Sequence, residues 1–157
     1  MSEAVIRQKI FDTIAGQADL VDPSFLSASL GWIHKYERWA ADWAKFLTFF
    51  KDPVSSRIFG WEIRRGNLQS VKLGAFEQED THGYVIRGYL GVQDADQTEI
   101  LFNLKIEELR GLFRGNHTMG GVCLDVGAVS VETIDERMFG AVLCHYAELR
   151  LTVAEIL

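Results

Sequence analysis

The sequence has only two cysteines, two prolines and four histidines among its 157 residues. Cys123 and Cys144 form no Cys-x-x-Cys pair, which favours two reduced, buried thiols over a redox or zinc motif. The N-terminus has no apolar core of signal-peptide length, and no run approaches the roughly 18 apolar residues of a membrane helix. We therefore expect a cytoplasmic protein without a membrane partner.

Motifs for nucleotides and for serine hydrolysis are also missing. No Gly-x-Gly-x-x-Gly follows a predicted strand, and neither Gly-x-x-x-x-Gly-Lys nor Gly-x-Ser-x-Gly occurs. The formal net charge of −6 repels phosphate backbones, so it argues against sequence-independent nucleic-acid binding. We expect no nucleotide cofactor and no nucleic-acid partner.

The histidines and acids form no recognisable metal pattern. His34, His82 and His117 lack the i, i+4 spacing of a helical zinc site. The pair in 94–96 lacks the later oxygen ligands of an EF-hand, so helix capping explains it better. The polar run 77–83 ends on glycine and predicts an exposed loop rather than an acidic site. The sequence thus predicts no metal, no cofactor and no catalytic residue.

His145 is the sharpest single candidate for chemistry, because it lies among apolar residues in the last predicted strand. A catalytic base needs an acid, a nucleophile or a metal beside it, and no such partner occurs at a recognisable spacing. A hydrogen-bonded structural histidine is the favoured interpretation. A small α+β enzyme or ligand-binding domain with a pocket around His145 remains an alternative.

The residues that are present predict one α+β domain spanning 1–157. With 48% hydrophobic and 24% charged residues, the chain is long enough for a single core. Period-two alternation predicts strands at 58–65, 84–92, 122–134 and 139–153, with a further extended piece at 68–76 after a turn at 66–67. Helical spacing of apolar residues predicts helices at 2–16, 32–50 and 96–114.

We expect an antiparallel sheet of four to five strands with the helices packed on one face. The last two strands are predicted to form a hairpin through the short polar connection 135–137. Arg64, Arg87, Glu148 and Arg150 fall on the outward faces of three predicted strands, where they form a candidate polar surface for another subunit or partner.

An aromatic stripe dominates the predicted helix 32–50. Its large side chains are spaced 4, 3, 4, 3 and 4 residues apart, which places them on one helical face: Trp32, Tyr36, Trp39, Trp43, Phe46 and Phe50. Exposing all six leaves a large apolar patch, so we expect Trp39 and Trp43 to be mostly buried. A partner-binding face is the alternative.

Four segments, taken in order, resemble bacteriophage and prophage tail-terminator proteins, a family of minor tail proteins. They are Arg-Ile-Phe-Gly-Trp-Glu-Ile-Arg at 57–64, His-Gly-Tyr-Val-Ile-Arg-Gly-Tyr at 82–89, the helix 98–113, and the strand 139–151. The match is one of order and length over about the last two thirds of the chain, and it includes no catalytic motif.

The resemblance implies a structural role without enzyme activity. Its subunits are expected to close into a ring, a homo-hexamer, that caps the tail tube, ends its polymerisation and offers a docking surface to the head connector. The implied partners are further copies of the chain, the tail tube protein and the head connector protein. The implied locations are the host cytoplasm and the virion tail. Another head-tail joining protein, with the same assembly logic, remains an alternative.

Overall fold

The computed structural model describes residues 3–16, 30–121, 123 and 125–157, and these form an α+β domain as predicted. The helices are α1 (Glu3–Ala15), α2 (Trp43–Thr48) and α3 (Thr98–Phe113), and a 3-10 turn spans Asp94–Asp96. The strands are β1 (Trp32–His34), β2 (Phe59–Lys72), β3 (Gln78–Gly91), β4 (Asp125–Val126), β5 (Ser130–Phe139) and β6 (Val142–Ile156). No helix in these ranges is long and apolar enough to cross a membrane.

The six strands form one mixed sheet in the order β1-β2-β3-β6, with β4 and β5 both on the far side of β6. Only the β1–β2 pair is parallel, and the other pairs are antiparallel as expected. The sheet exceeds the predicted four to five strands because β1 and β4, of three and two residues, join it at its edges. Elements this short leave almost no periodic signal in a sequence.

β2 and β3 make one long hairpin where the sequence predicts a turn and a loop. Gly66 is a bulge, marked by the register shift between Arg65 and Asn67, and the chain turns only at 73–77. The predicted exposed loop 77–83 is wrong, because residues from Gln78 onward belong to β3. Pairing with strands on both sides buries Asp80 and His82 despite their polarity.

The predicted hairpin between the last two strands is confirmed, but its turn lies elsewhere. Residues 135–137 are inside β5, and the chain reverses at 140–141. Gly140 has φ +65°, a conformation that glycine adopts without a Cβ penalty. The predicted strand 122–134 is also interrupted, since β4 ends at Val126 and β5 begins at Ser130.

The main core lies between the sheet and the helices α1 and α3. Ile6, Ile10 and Ile14 recur at helical spacing and are fully buried, and α3 contributes Phe102, Ile106, Leu109 and Phe113. The sheet supplies alternate residues from three central strands: Trp61, Ile63, Tyr84, Ile86, Leu149 and Leu151. Period 3.6 on the helices and period two on the strands thus meet at one interface.

α2 lies on the opposite face of the sheet, so the prediction that helices cover one face holds only for α1 and α3. A second apolar cluster forms beneath α2, and its members are mostly aromatic: Phe46, Leu47, Phe50, Ile58, Tyr89, Phe139, Cys144 and Tyr146. On this face the short helix α2 covers only the aromatic cluster, and the rest of the face carries polar side chains.

The predicted aromatic helix 32–50 is wrong. Trp32–His34 pair with β2, the chain is irregular up to Asp42, and the Asp42 carboxylate caps α2 by accepting a 2.8 Å hydrogen bond from the Lys45 N–H. Trp39 is 79% exposed and Trp43 50% exposed, so the expectation that both are mostly buried is also wrong. The pairing of 32–34 with β2 and the polar contacts of Glu37 and Arg38 stabilise this structure more than the helix that the aromatic spacing predicts.

Candidate functional site

A cleft of about 760 Å³ lies on the face of the sheet that carries α2. Its floor comes from the central strands β2, β3 and β6, and one wall is the irregular segment before α2. Strand pairing places Glu62 beside Arg87, and Arg87 beside Glu148, in one row across the sheet. The floor is therefore a line of alternating charge.

Arg87 is the centre of this row. Its Nη1 donates a 2.6 Å hydrogen bond to Glu37 Oε1, and its Nε lies 3.4 Å from Glu148 Oε1, a distance typical of an ion-pair contact without a good hydrogen bond. Arg64 Nε lies 3.5 Å from the other oxygen of Glu37. Burial lowers the pKa of Arg87, but the phenols and carboxylates around it raise the pKa by more. The net result is a pKa above the ordinary value, so Arg87 stays charged.

Glu62 fixes the wall of the cleft to its floor. The Tyr89 hydroxyl donates to Glu62 Oε1 at 2.8 Å, and the Arg38 backbone N–H donates to Oε2 at 3.0 Å. Burial raises the pKa of this carboxyl, while the two hydrogen bonds act in the opposite direction. Both oxygens of Glu62 therefore accept hydrogen bonds, one from β3 and one from the segment 37–42. Glu62 thereby holds this segment against the sheet.

Aromatic rings line the rest of the cleft. Trp43 meets Phe139 edge-on at 5.2 Å between ring centroids, and the Arg137 guanidinium lies 4.1 Å above the Tyr146 ring. Trp39 at the rim remains largely exposed. Among the described residues, the lining contains no serine, cysteine, histidine or lysine. Its polar groups are carboxylates, arginines and tyrosine hydroxyls.

Three of the four predicted interface residues meet in this cleft region. Glu37, which the sequence did not single out, joins Arg64 to Arg87, and Arg87 contacts Glu148. Arg150 is separate, since its Nε lies 3.8 Å from Glu132 on β5. A contact of these four residues with another subunit stays a prediction.

His145 lies on the other face, against α3, and does not line the cleft. Its Nε2 is 2.9 Å from Thr98 Oγ1, and its Nδ1 is 3.3 Å from Glu136 Oε1. This Glu–His–Thr order resembles an activated nucleophile, but Thr98 is 1% exposed and its hydroxyl also bonds the Gln93 backbone. No substrate reaches such a hydroxyl, and a structural role for His145 agrees with these contacts.

A second polar cluster lies at the end of the main core, where Asp80, His82 and Glu155 each offer one ligand atom within 4.8 Å of the others. Sequence patterns do not predict this cluster, because they place Asp80 and His82 in an exposed loop. Their period-two spacing with Tyr84 and Ile86 was the available signal, since it continues the alternation of β3 to its N-terminal end.

The sheet has two open edges in the part of the chain that the structure describes. β1 pairs only with 60–62 of β2, so the remaining outer edge, 63–72, has no strand beside it. This basic edge carries Arg64, Arg65 and Lys72. The outer edge of β5 has no strand beside it either. This acidic edge, 130–139, carries Glu132, Asp135, Glu136 and one opposing charge, Arg137.

In comparison with known proteins, no family model matches this chain, and no curated protein matches it.

Proposed function

We propose that this chain is a structural assembly protein whose copies join head to tail in a ring that caps a phage tail tube. The ring ends tube polymerisation and offers a docking surface to the head connector, as the resemblance to tail terminators implies. One observation carries the assembly part of the proposal. In the described ranges, the sheet ends in two open edges of opposite charge, the basic edge 63–72 and the acidic edge 130–139.

Open edges favour association because each presents unpaired backbone N–H and C=O groups to solvent. A strand from another chain that pairs with such an edge gains main-chain hydrogen bonds along its length. β5 provides ten residues for this pairing, and the basic edge provides the eight exposed residues 65–72. Ile63 is buried, and its carbonyl accepts a hydrogen bond from Arg7. Residues 65–77 are all exposed, so nothing described in the subunit obstructs the approach.

Opposite charge selects which edges meet. Two basic edges repel each other, as do two acidic edges, whereas a basic edge attracts the acidic edge of the next copy. Such a contact joins different patches of identical subunits, and repeated contacts of this kind close into a ring when the rotation permits. The number of subunits, six, is implied by the resemblance alone.

The cleft and the hairpin tip are the surfaces we assign to the other partners. Trp39 and Trp43 are exposed beside the charged row of the cleft, and exposed tryptophan and arginine are typical of protein interfaces. Phe76, at 97% exposure, stands at the tip of the β2–β3 hairpin. These positions suit contacts with the tail tube and the head connector, in the host cytoplasm and in the finished virion tail.

Charge swapping tests the assembly directly. A basic-edge variant, Arg65→Glu with Lys72→Glu, should yield overlong tails when produced with the tail-tube protein of the same genome, as seen by negative-stain electron microscopy. An acidic-edge variant, Glu132→Lys with Asp135→Lys, should do the same. A chain carrying all four changes restores opposite edges, so it should recover tails of normal length.

The matched control changes the same number of charges away from both edges, as Lys45→Glu with Arg114→Glu, and should leave tail length unchanged. Asp135 is half-buried and the other substituted positions are exposed. The surface ion pairs lost are each worth at most about 1 kcal/mol, so the fold should persist. Normal tails from both edge variants contradict the edge pairing. A genome without tail-tube genes contradicts the tail role as a whole.

A second candidate, a ligand-binding domain, is favoured by the volume and the aromatic lining of the cleft. In this alternative the site is the cleft rather than a pocket around His145. Trp39 and Trp43 are natural reporters, because a bound ligand changes their fluorescence. Saturable quenching that is weakened in Glu148→Gln, which changes the cleft lining but keeps both tryptophans, together with normal tails in every edge variant, would favour this candidate over the ring.

A further inference from the structure

We infer that Asp80, His82 and Glu155 form a binding site for one divalent transition-metal ion, with Zn²⁺ as the probe ion. The site is distinct from the sheet edges and from the cleft, and it goes beyond the proposed assembly role. It lies at the base of the exposed part of the β2–β3 hairpin, where an ion joins β3 to β6.

Sheet geometry brings the three side chains to the same face. Asp80 and His82 are two residues apart on β3, so they point to the same side, and Asp80 pairs directly with Glu155 on β6. One ligand atom from each residue lies within 4.8 Å of the other two. Adjacent ligands of an ion with bonds of about 2.1 Å are roughly 3.0–3.4 Å apart, so small side-chain rotations complete the set.

Burial makes this cluster different from a surface group of acids. Asp80, His82 and Glu155 are 6%, 3% and 4% exposed. The hydrogen-bond donors to Asp80 Oδ1 are the neutral groups Ser70 Oγ at 2.6 Å and Gln78 Nε2 at 2.7 Å, which hold the carboxylate without neutralising it. Carboxylates that bind metal ions are commonly held by such outer hydrogen bonds.

The second observation concerns the imidazole of His82. Its Nε2 lies 2.9 Å from Glu155 Oε1, but its Nδ1 is buried and has no hydrogen-bond partner among the described residues. A buried ring nitrogen without a partner is uncommon, and a bound ion is one physical explanation for it. Imidazole with two carboxylates suits Zn²⁺ or Mn²⁺, whereas Mg²⁺ and Ca²⁺ favour oxygen ligands alone.

Isothermal titration of chelator-treated full-length protein with ZnCl₂ tests the inference, and elemental analysis after dialysis checks the stoichiometry. We expect one saturable Zn²⁺ per chain and a melting temperature that rises with Zn²⁺ until the site is full. Asp80→Asn and His82→Gln should each weaken binding at least tenfold. Asp80→Asn nearly preserves the side-chain shape, and its circular dichroism should match that of the parent.

His117→Gln is the matched control, because the side chain of His117 is 72% exposed and represents adventitious surface binding. This variant should bind Zn²⁺ like the parent. Absence of saturable binding up to millimolar Zn²⁺ overturns the inference, and so does binding that survives Asp80→Asn or disappears in His117→Gln. If a variant fails to fold, the parent decides the outcome through its stoichiometry and its melting-temperature response.

Discussion

The two faces of the sheet differ in how far the chain closes them. On one face, α1 and α3 cover apolar residues from three central strands, and the large side chains there are completely buried. On the other face, the six-residue helix α2 covers a small aromatic cluster and leaves an open cleft with a charged floor. The first face accounts for most of the apolar burial, and the second has surface available for partners.

Two tryptophans show the difference in burial between the two faces most clearly. Trp61 is fully buried and its ring stacks on Phe102 at 5.8 Å between centroids, whereas Trp39 on the cleft side is 79% exposed. The same residue type is therefore a core residue on one face and an available contact on the other. Stability and binding should respond in opposite ways to changes on the two faces.

The largest expected effect is the loss of the Trp61 side chain. Trp61→Ala should lower the free energy of unfolding by about 3–5 kcal/mol, because a buried ring is removed and a cavity remains. Trp39→Ala should change it by no more than about 0.5 kcal/mol, since few contacts within the subunit are lost. Urea unfolding followed by circular dichroism measures both. Equal losses in the two variants would remove the distinction between the faces.

A pair of glycine substitutions should give smaller effects of opposite sign. A Cβ at Gly88 meets the ring of Trp61, so Gly88→Ala should destabilise the protein by roughly 1–3 kcal/mol. Gly111 is in α3 with open space around a built Cβ, and Gly111→Ala should stabilise by about 0.5–1 kcal/mol. Thermal unfolding of both variants gives the two signs. A neutral Gly88→Ala would show that this side of the core yields to an added methyl group.

The buried carboxyl of Glu62, on the cleft side of the sheet, should make the folding stability depend on pH. Burial raises its folded-state pKa above the ordinary value of 4.5, so folding favours the protonated carboxyl. The stability that this preference contributes is present below the unfolded pKa and is lost as the pH rises through the folded pKa. The stability of the parent relative to Glu62→Gln should therefore fall as the pH rises above 4.5, the ordinary value of this carboxyl. A difference that stays constant or rises above this pH contradicts the assignment.

The smallest expected effect is on the reactivity of Cys144, which lies in the aromatic cluster beneath α2. Burial raises the pKa of the Cys144 thiol to about 12, and the side chain is fully buried beneath the aromatic cluster. In a Cys123→Ser background, Cys144 should not react with a thiol reagent at pH 8 until denaturant is added. Rapid labelling of the folded protein would show that α2 opens readily over this cluster.

Strong periodic patterns predicted part of this fold. The apolar spacing of α1 and α3, the last hairpin and the α+β class follow from the sequence, because these elements bury one regular face. Residues 32–50 have equally regular spacing, yet the backbone of 32–34 pairs with β2 and the Arg38 N–H bonds the buried Glu62. Contacts with distant residues decide the structure there, and local spacing does not reveal them.

The candidate sites were harder to predict than the fold. Outward strand positions identify Arg64, Arg87 and Glu148 from the sequence, but Glu37, which connects the two arginines, lies in a segment whose spacing predicts a helix. The sequence predicts a loop around Asp80 and His82 because polar residues before a glycine are typical of turns. Their burial depends on β6, which pairs with them from more than seventy residues away.

Cryo-electron microscopy of the protein assembled on its tail tube would show directly whether the sheet edges of neighbouring copies pair. We expect a closed ring in which residues 63–72 of one copy pair with residues 130–139 of the next, so that the sheets continue from subunit to subunit. A ring or dimer in which both edges remain solvent-exposed, or in which identical edges meet about a two-fold axis, would contradict this expectation.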